Sequence, residues 1–316
     1  MIKAAIFGYG TVGSGIYEVL TRNSAVIQGK LGDRIEVKYV LDLREFPGNP
    51  VQDVLVHDVN TILDDEEVSI ICETMGGEKP AYDFTRRALE LGKSVCTSNK
   101  ELVEKHGAEL LKIAQEHHCS YLFEASVGGG IPILNALTTV LGANEFIEIL
   151  GILNGTTNYI LTQMTEYGLN YDTVLKVAQE KGFAEADPTA DVEGIDVANK
   201  LSILMALAFD KYVPPTEIPT IGITGVTMEA IEAAKKDNCK IKLIAKAKKT
   251  DKGIEYSVQP TKLSNDHPLA TVSNEFNAVF VTGNAVGELM FYGKGAGALP
   301  TGSAVMGDVI EIAKRI

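Results

Sequence analysis

The chain has 316 residues, of which 45% are hydrophobic and 22% are charged. This length predicts two domains, and the composition is that of an ordinary globular protein and not of a disordered one. The 29 Lys and Arg residues against 42 Asp and Glu residues give a formal net charge of −13. Such an acidic chain argues against nucleic acid or an anionic membrane as a partner, because both are themselves negatively charged.

The cysteines and the apolar runs predict the compartment. Cys72, Cys96, Cys119 and Cys239 are scattered, with no C-x-x-C pair and no zinc-ligand spacing, which is typical of a reducing compartment such as the cytoplasm. The first strand is expected at residues 3–7, which leaves no room for a signal peptide. No apolar run approaches the ~18 residues of a membrane span.

A glycine-rich turn follows the first strand. Residues 8–13 read G-Y-G-T-V-G, a G-x-G-x-x-G pattern between a predicted strand and a predicted helix. The glycines permit a tight turn and a close approach of the backbone to a pyrophosphate, which then lies at the helix N-terminus. The pattern predicts a dinucleotide site that includes Gly8, Gly10, Thr11, Val12 and Gly13.

Asp42 and Arg44 stand at the end of the second strand, predicted at residues 35–41. A carboxylate at this point binds the ribose hydroxyls of NAD. An arginine two residues later could instead receive the 2′-phosphate of NADP. The two residues favour different cofactors, so the choice between NAD and NADP stays open.

Further strands are predicted at residues 68–72, 94–97 and 120–125, and strands alternate with helices to about residue 140. This alternation predicts an α/β fold with a Rossmann-type doubly wound parallel sheet. The segments that follow two of these strands are also predicted to belong to the cofactor site. The added residues are Met75, Gly76, Ser98 and Asn99, together with Gly295 from a later glycine-rich turn.

The pattern changes to α+β after residue 140, with a strand at 145–153, a helix that starts at 154–159, two helices at 171–181 and 194–209, four strands between 240 and 291, and a last helix at 303–316. The last helix is expected to pack on the first domain. We therefore predict a dinucleotide-binding domain of residues 1–135 and 300–316. Residues 136–299 are predicted to form an α+β substrate-binding domain.

Residues 182–207 carry five acidic residues and then a nearly continuous apolar helix. Asp196 and Lys200 are four residues apart and share a face of that helix. An exposed salt bridge is the ordinary explanation, but a helix apolar nearly all round is buried, and buried charges need a partner or a chemical task. We predict a catalytic carboxylate–lysine cluster. Lys200 and Lys100 are the candidates for the proton transfer that accompanies hydride transfer.

The surrounding polar residues indicate the kind of substrate. Carboxylates at Glu185, Asp191 and Asp196 suit an ammonium group, and the polar helix start at residues 154–157 suits a carboxylate. Together they predict a pocket for an amino acid that carries an alcohol or aldehyde side chain.

Residues 151–161, which read GILNGTTNYIL, and residues 182–200 closely resemble the signature segments of homoserine dehydrogenases. Residues 8–13, 98–100, 124–132 and 295–306 match the same family in order. The resemblance implies a cytoplasmic homodimer, formed through the second domain. Its implied reaction is the reversible, NAD(P)-linked interconversion of L-homoserine and L-aspartate 4-semialdehyde, on the route to threonine and methionine.

The resemblance also implies roles for individual residues. Lys200 would transfer the proton, with Lys100 beside the reacting oxygen. Glu185 and Asp196 would hold the substrate ammonium, with Asp191 in support. The remaining pocket residues are Asn154, Gly155 and Thr156, and a monovalent-cation site, usually given as sodium, would comprise Glu124 and the main chain of Val127, Gly129 and Ile131.

This sequence departs from the family pattern at several positions. Phe183 stands where many members have tyrosine, and Lys294 replaces a common proline. Leu41 occupies a place where NADP-preferring members are expected to have arginine, which favours NAD or dual use. Larger members continue into a C-terminal regulatory domain that senses amino acids. Because the sequence stops at Ile316, we expect either a protein without that domain or a shortened chain.

Two other functions compete with this one. The first is a dehydrogenase of the same plan that acts on a different semialdehyde. The second is a nucleotide-binding sensor that has kept the fold and lost turnover, since a fold alone does not fix function. Retention of Lys100 and Lys200 beside an acidic cluster argues against the sensor.

Overall fold

The computed structural model describes residues 1–316, which divide into two compact units. The first unit comprises Met1–Gly130 and Ala296–Ile316, and the second comprises Ile131–Gly295. None of the helices combines the length and the apolarity that crossing a bilayer requires.

The strands and helices follow one another along the chain as two lists. The strands are β1 (Ile2–Phe7), β2 (Ile35–Leu41), β3 (Leu55–Val56), β4 (Val68–Glu73), β5 (Ser94–Thr97), β6 (Tyr121–Leu122), β7 (Phe146–Ile152), β8 (Cys239–Thr250), β9 (Gly253–Ser264), β10 (Phe276–Gly283) and β11 (Gly287–Lys294). The helices are α1 (Thr11–Leu31), α2 (Asn60–Leu63), α3 (Ala81–Glu90), α4 (Lys100–Glu116), α5 (Ile133–Asn135), α6 (Gly155–Tyr167), α7 (Tyr171–Glu180), α8 (Thr189–Val192), α9 (Ile195–Phe209), α10 (Met228–Lys236) and α11 (Ala298–Ala313).

The first unit is built on a six-stranded parallel sheet in the order β3-β2-β1-β4-β5-β6. The order reverses between β1 and β4, so the loops that follow these two strands diverge and leave a crevice at their carboxyl ends. The second unit contains a five-stranded antiparallel sheet in the order β11-β10-β7-β8-β9. The predicted Rossmann-type sheet with an α+β second unit is therefore confirmed.

Helix α11 packs on α1 and shares one hydrophobic core with the parallel sheet. The two helices are in close contact at Gly15, where a Cβ atom would lie 2.0 Å from the carbonyl oxygen of Ala298. This approach is possible only because Gly15 has no side chain. Gly29, on the same helix, has no atom within 4 Å of its Cβ position.

Several elements differ from the sequence-based expectation. The strand predicted at 120–125 is only Tyr121–Leu122, and Glu124 begins a 3₁₀ turn, Glu124–Ser126. The reason is that the Glu124 N–H donates to the Asp308 carboxylate at 2.9 Å and is not available to the sheet. The last helix begins at Ala298 with Pro300 in its first turn, where a missing N–H is tolerated. The short strand β3 and helix α10 were not predicted.

We predict that Gly15→Ala lowers the free energy of unfolding by about 1–3 kcal/mol, because the methyl group forces α11 away from α1. The matched variant Gly29→Ala should raise it by about 0.5–1 kcal/mol, since alanine replaces glycine in an open helix position. Urea denaturation of both variants measures the difference. Equal stabilities would show that the α1–α11 contact is not tightly packed.

Candidate active site

The turn between β1 and α1 is shaped by its glycines. Gly8 has φ +90°, in the left-handed region, and a Cβ atom on Gly13 would lie 2.0 Å from the Gly8 carbonyl oxygen. No atom lies within 4 Å of the Cβ position of Gly10, no side chain caps α1, and its first turn, which contains Thr11 and Val12, has no acidic residue. The N–H groups and the positive end of the helix dipole are thus presented as an anion site of the kind that holds a pyrophosphate.

A cavity of about 500 Å³ lies at this edge of the first unit. Its lining includes Gly8, Gly10, Asp42, Arg44 and Met75. These residues come from the turns after β1, β2 and β4, so the crevice of the parallel sheet and the glycine turn coincide. The chain therefore has a volume and an anion site that fit a dinucleotide cofactor.

Asp42 and Arg44 form an ion pair at the rim of this cavity. The Asp42 carboxylate accepts bonds from Arg44 Nε, Nη2 and N at 2.9, 2.8 and 3.0 Å, and from Tyr9 N at 2.8 Å. The Arg44 guanidinium holds the pKa of Asp42 well below its usual range. Because a carboxylate has about four acceptor positions, a ribose hydroxyl can bind Asp42 only if one of these bonds opens.

His57 also lines the cavity, and the sequence analysis missed it. Its Nδ1 lies 2.6 Å from the Asp42 carbonyl oxygen, and its Nε2 lies 2.8 Å from Glu45 Oε1. These two acceptors raise the pKa of His57. No motif marks this histidine, since it follows the two-residue strand β3, which has no clear sequence pattern.

The loops after β4 and β5 form the other side of the crevice. Gly76 and Gly77 both have positive φ, at 75° and 67°. Asn99 caps α4 by accepting the N–H of Leu102 at 3.2 Å, and its Nδ2 donates to the Gly77 carbonyl at 2.6 Å. Ser98 N donates to the Glu73 carbonyl at 3.3 Å, and Lys100 is the first residue of α4. The predicted residues Met75, Gly76, Ser98 and Asn99 thus lie on two loops joined by hydrogen bonds.

In the second unit, Asn154 connects the two predicted aspartates. Its Nδ2 donates to Asp191 Oδ1 at 2.7 Å and to Asp196 Oδ2 at 3.0 Å. Its Oδ1 accepts the N–H of Thr157 at 2.9 Å and so caps α6. One amide therefore fixes both carboxylates relative to the N-terminus of α6.

Lys200 completes this cluster. Its Nζ donates to Asp196 Oδ2 and to the Leu153 carbonyl, both at 2.7 Å. The side chains of Lys200 and Asp196 are 12% and 6% exposed, so the pair is nearly buried and is not the ordinary surface salt bridge. These two bonds leave one N–H of the ammonium for a substrate.

The other predicted substrate residues have different positions. Thr156 Oγ1 lies 2.5 Å from the Phe183 carbonyl and 3.0 Å from Asp191 Oδ2, so it belongs to the cluster. Gly155 is required by packing, since a Cβ atom there would lie 2.8 Å from the Glu275 carbonyl oxygen. Glu185 is exposed, and its carboxylate forms no ion pair with Lys200, which is paired with Asp196.

The remaining predicted residues are the cation ligands, namely Glu124 and the main chain of Val127, Gly129 and Ile131, and the cofactor residue Gly295. Glu124 and Val127 are buried, Gly129 has φ 57°, and Ile131 begins the second unit. Carbonyl and carboxylate oxygens suit a hard cation, and the sodium site stays a prediction. A Cβ atom on Gly295 would lie 2.0 Å from Asn277 Nδ2, so this glycine is needed for packing within the second unit, and its contact with a cofactor also stays a prediction.

Comparison with known families covers nearly the whole chain. Residues 8–124 match the family model described as the NAD binding domain of homoserine dehydrogenase, and residues 132–310 match the model described as homoserine dehydrogenase. The homoserine dehydrogenase of Bacillus subtilis (strain 168) is 42% identical over 100% of this chain and 73% of its own length.

Solved structures agree with the sequence relatives. A homoserine dehydrogenase from Thiobacillus denitrificans has a TM-score of 0.94 and 40% identity, covering 99% of this chain and 73% of that one. A hyperthermophilic archaeal homoserine dehydrogenase in complex with NADPH has a TM-score of 0.83 and 28% identity, covering 100% and 98% of the two chains. This chain belongs to the homoserine dehydrogenase family of NAD(P)-dependent oxidoreductases.

Proposed function

We propose that the chain interconverts L-homoserine and L-aspartate 4-semialdehyde, with the first unit as the dinucleotide-binding domain and the second as the substrate-binding domain. The observation that carries this proposal is the nearly buried Asp196–Lys200 pair, whose ammonium keeps one N–H for a substrate. A buried ion pair adds little net stability, because the cost of desolvating the charges offsets their attraction. A chemical task therefore explains the presence of this pair better than a role in stability alone.

When bound, the nicotinamide supplies or accepts the hydride. Lys200 moves the accompanying proton at its Nζ. The ammonium held by Asp196 and the Leu153 carbonyl is the form that donates a proton to the aldehyde oxygen in reduction. In oxidation, the neutral amine takes the hydroxyl proton, and Asp196 stabilises the ammonium that results.

Substrate recognition uses both ends of the amino acid. The carboxylates of Asp191 and Asp196, with that of the exposed Glu185, bind the substrate ammonium. The N-terminus of α6, with Gly155 and Thr156 in its first turn, binds the substrate carboxylate through backbone N–H groups. Lys100, at the start of α4, binds the reacting oxygen.

We predict that Lys200→Arg lowers kcat by about 10²–10⁴-fold, because arginine keeps the charge beside Asp196 but does not release a proton at working pH. The affinity for NADPH should be unchanged, since Lys200 belongs to the second unit and the glycine turn to the first. Stopped-flow or steady-state nicotinamide absorbance gives kcat, and fluorescence titration gives the affinity.

Lys181→Ala is the matched control for this test. Lys181 also lies in the second unit, and its Nζ donates to Tyr159 Oη at 3.1 Å outside the aspartate cluster. This variant should keep kcat within about two-fold of the wild-type value. If Lys200→Arg turned over homoserine as fast as Lys181→Ala, Lys200 would not be the proton-transfer residue.

Cofactor preference should respond to the Asp42–Arg44 pair. Arg44→Ala is expected to lower kcat/KM for NADP by about 10–100-fold, the effect of losing one charge-assisted hydrogen bond to phosphate. The same change frees Asp42 for the ribose hydroxyls, so kcat/KM for NAD should be unchanged or higher. Asp42→Ala should shift the ratio towards NADP. If Arg44→Ala lowered kcat/KM equally for NAD and NADP, Arg44 would not recognise the 2′-phosphate.

A homodimer formed through the second unit is also part of this proposal. The edge strand β11 pairs only with β10 and carries Met290 and Tyr292, which are 38% and 52% exposed. An open edge with apolar side chains favours pairing with another chain. Sedimentation equilibrium should give twice the mass of one chain, and a monomer at all concentrations would contradict it.

A further inference from the structure

Glu73 is a carboxylate that the proposed chemistry does not use. It is the last residue of β4, lies opposite Phe7 of β1 and Thr97 of β5, and is 0% exposed. Burial raises its pKa, and no lysine or arginine forms an ion pair with it. A carboxyl group in such a place needs neutral hydrogen-bond donors on every side.

The donors to Glu73 come from the turn after β4 and from the end of β5. Its Oε1 accepts the N–H of Met75 at 2.7 Å. Its Oε2 accepts the hydroxyl of Thr97 at 2.5 Å. Each oxygen of the buried carboxylate therefore has a neutral donor.

The direction of the Thr97 bond is fixed by its neighbour. Thr97 Oγ1 accepts the N–H of Asn99 at 2.9 Å, so its single proton is directed to Glu73. Asn99 in turn donates to the Gly77 carbonyl and caps α4. The chain of bonds Glu73–Thr97–Asn99–Gly77 therefore closes on the turn that follows Glu73 itself.

This closed set of bonds borders the cofactor cavity. Met75 lines the cavity, and a Cβ atom on Gly8 would come within 3.2 Å of Met75. Thr74 Oγ1 also contacts the carbonyl oxygens of Phe7 and Gly8 at 3.0 and 2.8 Å, so the glycine turn is held to the same loop. Lys100 follows Asn99 directly as the first residue of α4.

We propose that Glu73 is a positioning residue for the dinucleotide: its buried carboxylate fixes the Met75–Gly77 turn and, through Thr97 and Asn99, the start of α4 with Lys100. Glu73 is 0% exposed and is not among the residues that line the cofactor cavity. It acts by holding two loops at one spacing, so that the nucleotide enters a formed site and does not have to order these loops on binding. The part of this proposal that concerns Lys100 rests on the function proposed above. The role of Glu73 in nucleotide binding does not depend on that function.

Glu73→Gln tests the proposal, because glutamine has the same shape but loses acceptor positions. Its amide nitrogen cannot accept the Thr97 proton. The two N–H groups of the amide instead face the Thr97 hydroxyl, which is itself a donor. We expect the dissociation constants of NADH and NADPH to rise together by about ten-fold, the size of one buried charge-assisted hydrogen bond. Titration of nicotinamide fluorescence measures both constants without any turnover.

Thr85→Val is the matched control. Thr85 is also 0% exposed in the first unit, and its Oγ1 has no hydrogen-bond partner, so valine should keep the nucleotide affinity and the stability. Thr97→Val provides a second route to the same result, and should weaken both nucleotides in the same direction. In the double variant the loss should be smaller than the sum of the two single losses, since both variants break the Glu73–Thr97 bond.

The outcomes separate clearly. Nucleotide affinities of Glu73→Gln and Thr97→Val within about two-fold of the wild type would overturn the proposal, including when their melting temperatures fall, because the role would then be structural. Fully additive losses would overturn the route through Thr97. If the wild type binds NADPH but does not oxidise homoserine, the proposed function fails while the nucleotide test of Glu73 remains decisive.

Discussion

The constraint on which this structure depends is that a carboxylate removed from water must be surrounded by donors. Asp196 and Glu73 are both less than a tenth exposed, and each meets this requirement in its own way. Asp196 is paired with the Lys200 ammonium, whereas Glu73 is held by the main-chain N–H of Met75 and the hydroxyl of Thr97. The first arrangement includes a group that can give up a proton, and the second gives a fixed acceptor.

Each unit joins its buried carboxylate to a helix N-terminus through one asparagine. Asn154 caps α6 and donates to Asp191 and Asp196. Asn99 caps α4, and its N–H donates to the Thr97 hydroxyl, which in turn donates to Glu73. An asparagine is suited to this task because its oxygen accepts the helix N–H while its nitrogen still donates. The two helix starts are therefore held at set distances from the carboxylates, which is how a fold of separate loops maintains a precise site.

Features that depend on short-range patterns were predictable from the sequence. The turn around Gly8 and Gly13 follows from glycine spacing after a buried strand, and the Asp196–Lys200 contact follows from the helical repeat. The alternation of strands and helices predicted the parallel sheet. The apolar surroundings of residues 197–207 correctly indicated that the pair is not a surface salt bridge.

Contacts between distant residues could not be predicted in this way. The Glu124–Asp308 hydrogen bond joins residues 184 apart and shortens a strand that looked continuous. Arg44 and Tyr9 occupy the acceptor positions of the Asp42 carboxylate, and His57 lies beside the same residue. Both arrangements depend on how loops meet at the sheet edge. Such bonds impose no period on the sequence, and Glu73 looks like the polar end of an apolar strand until its donors are known.

The most direct test of the central claim is the absorbance of reduced nicotinamide, measured with the purified chain, L-homoserine, and NAD or NADP in separate runs. The account predicts a homoserine-dependent rise in absorbance with at least one of the two cofactors. No rise with either cofactor, in a protein that still binds the nucleotide, would contradict the account. It would point instead to a different semialdehyde or to a nucleotide-binding protein without turnover.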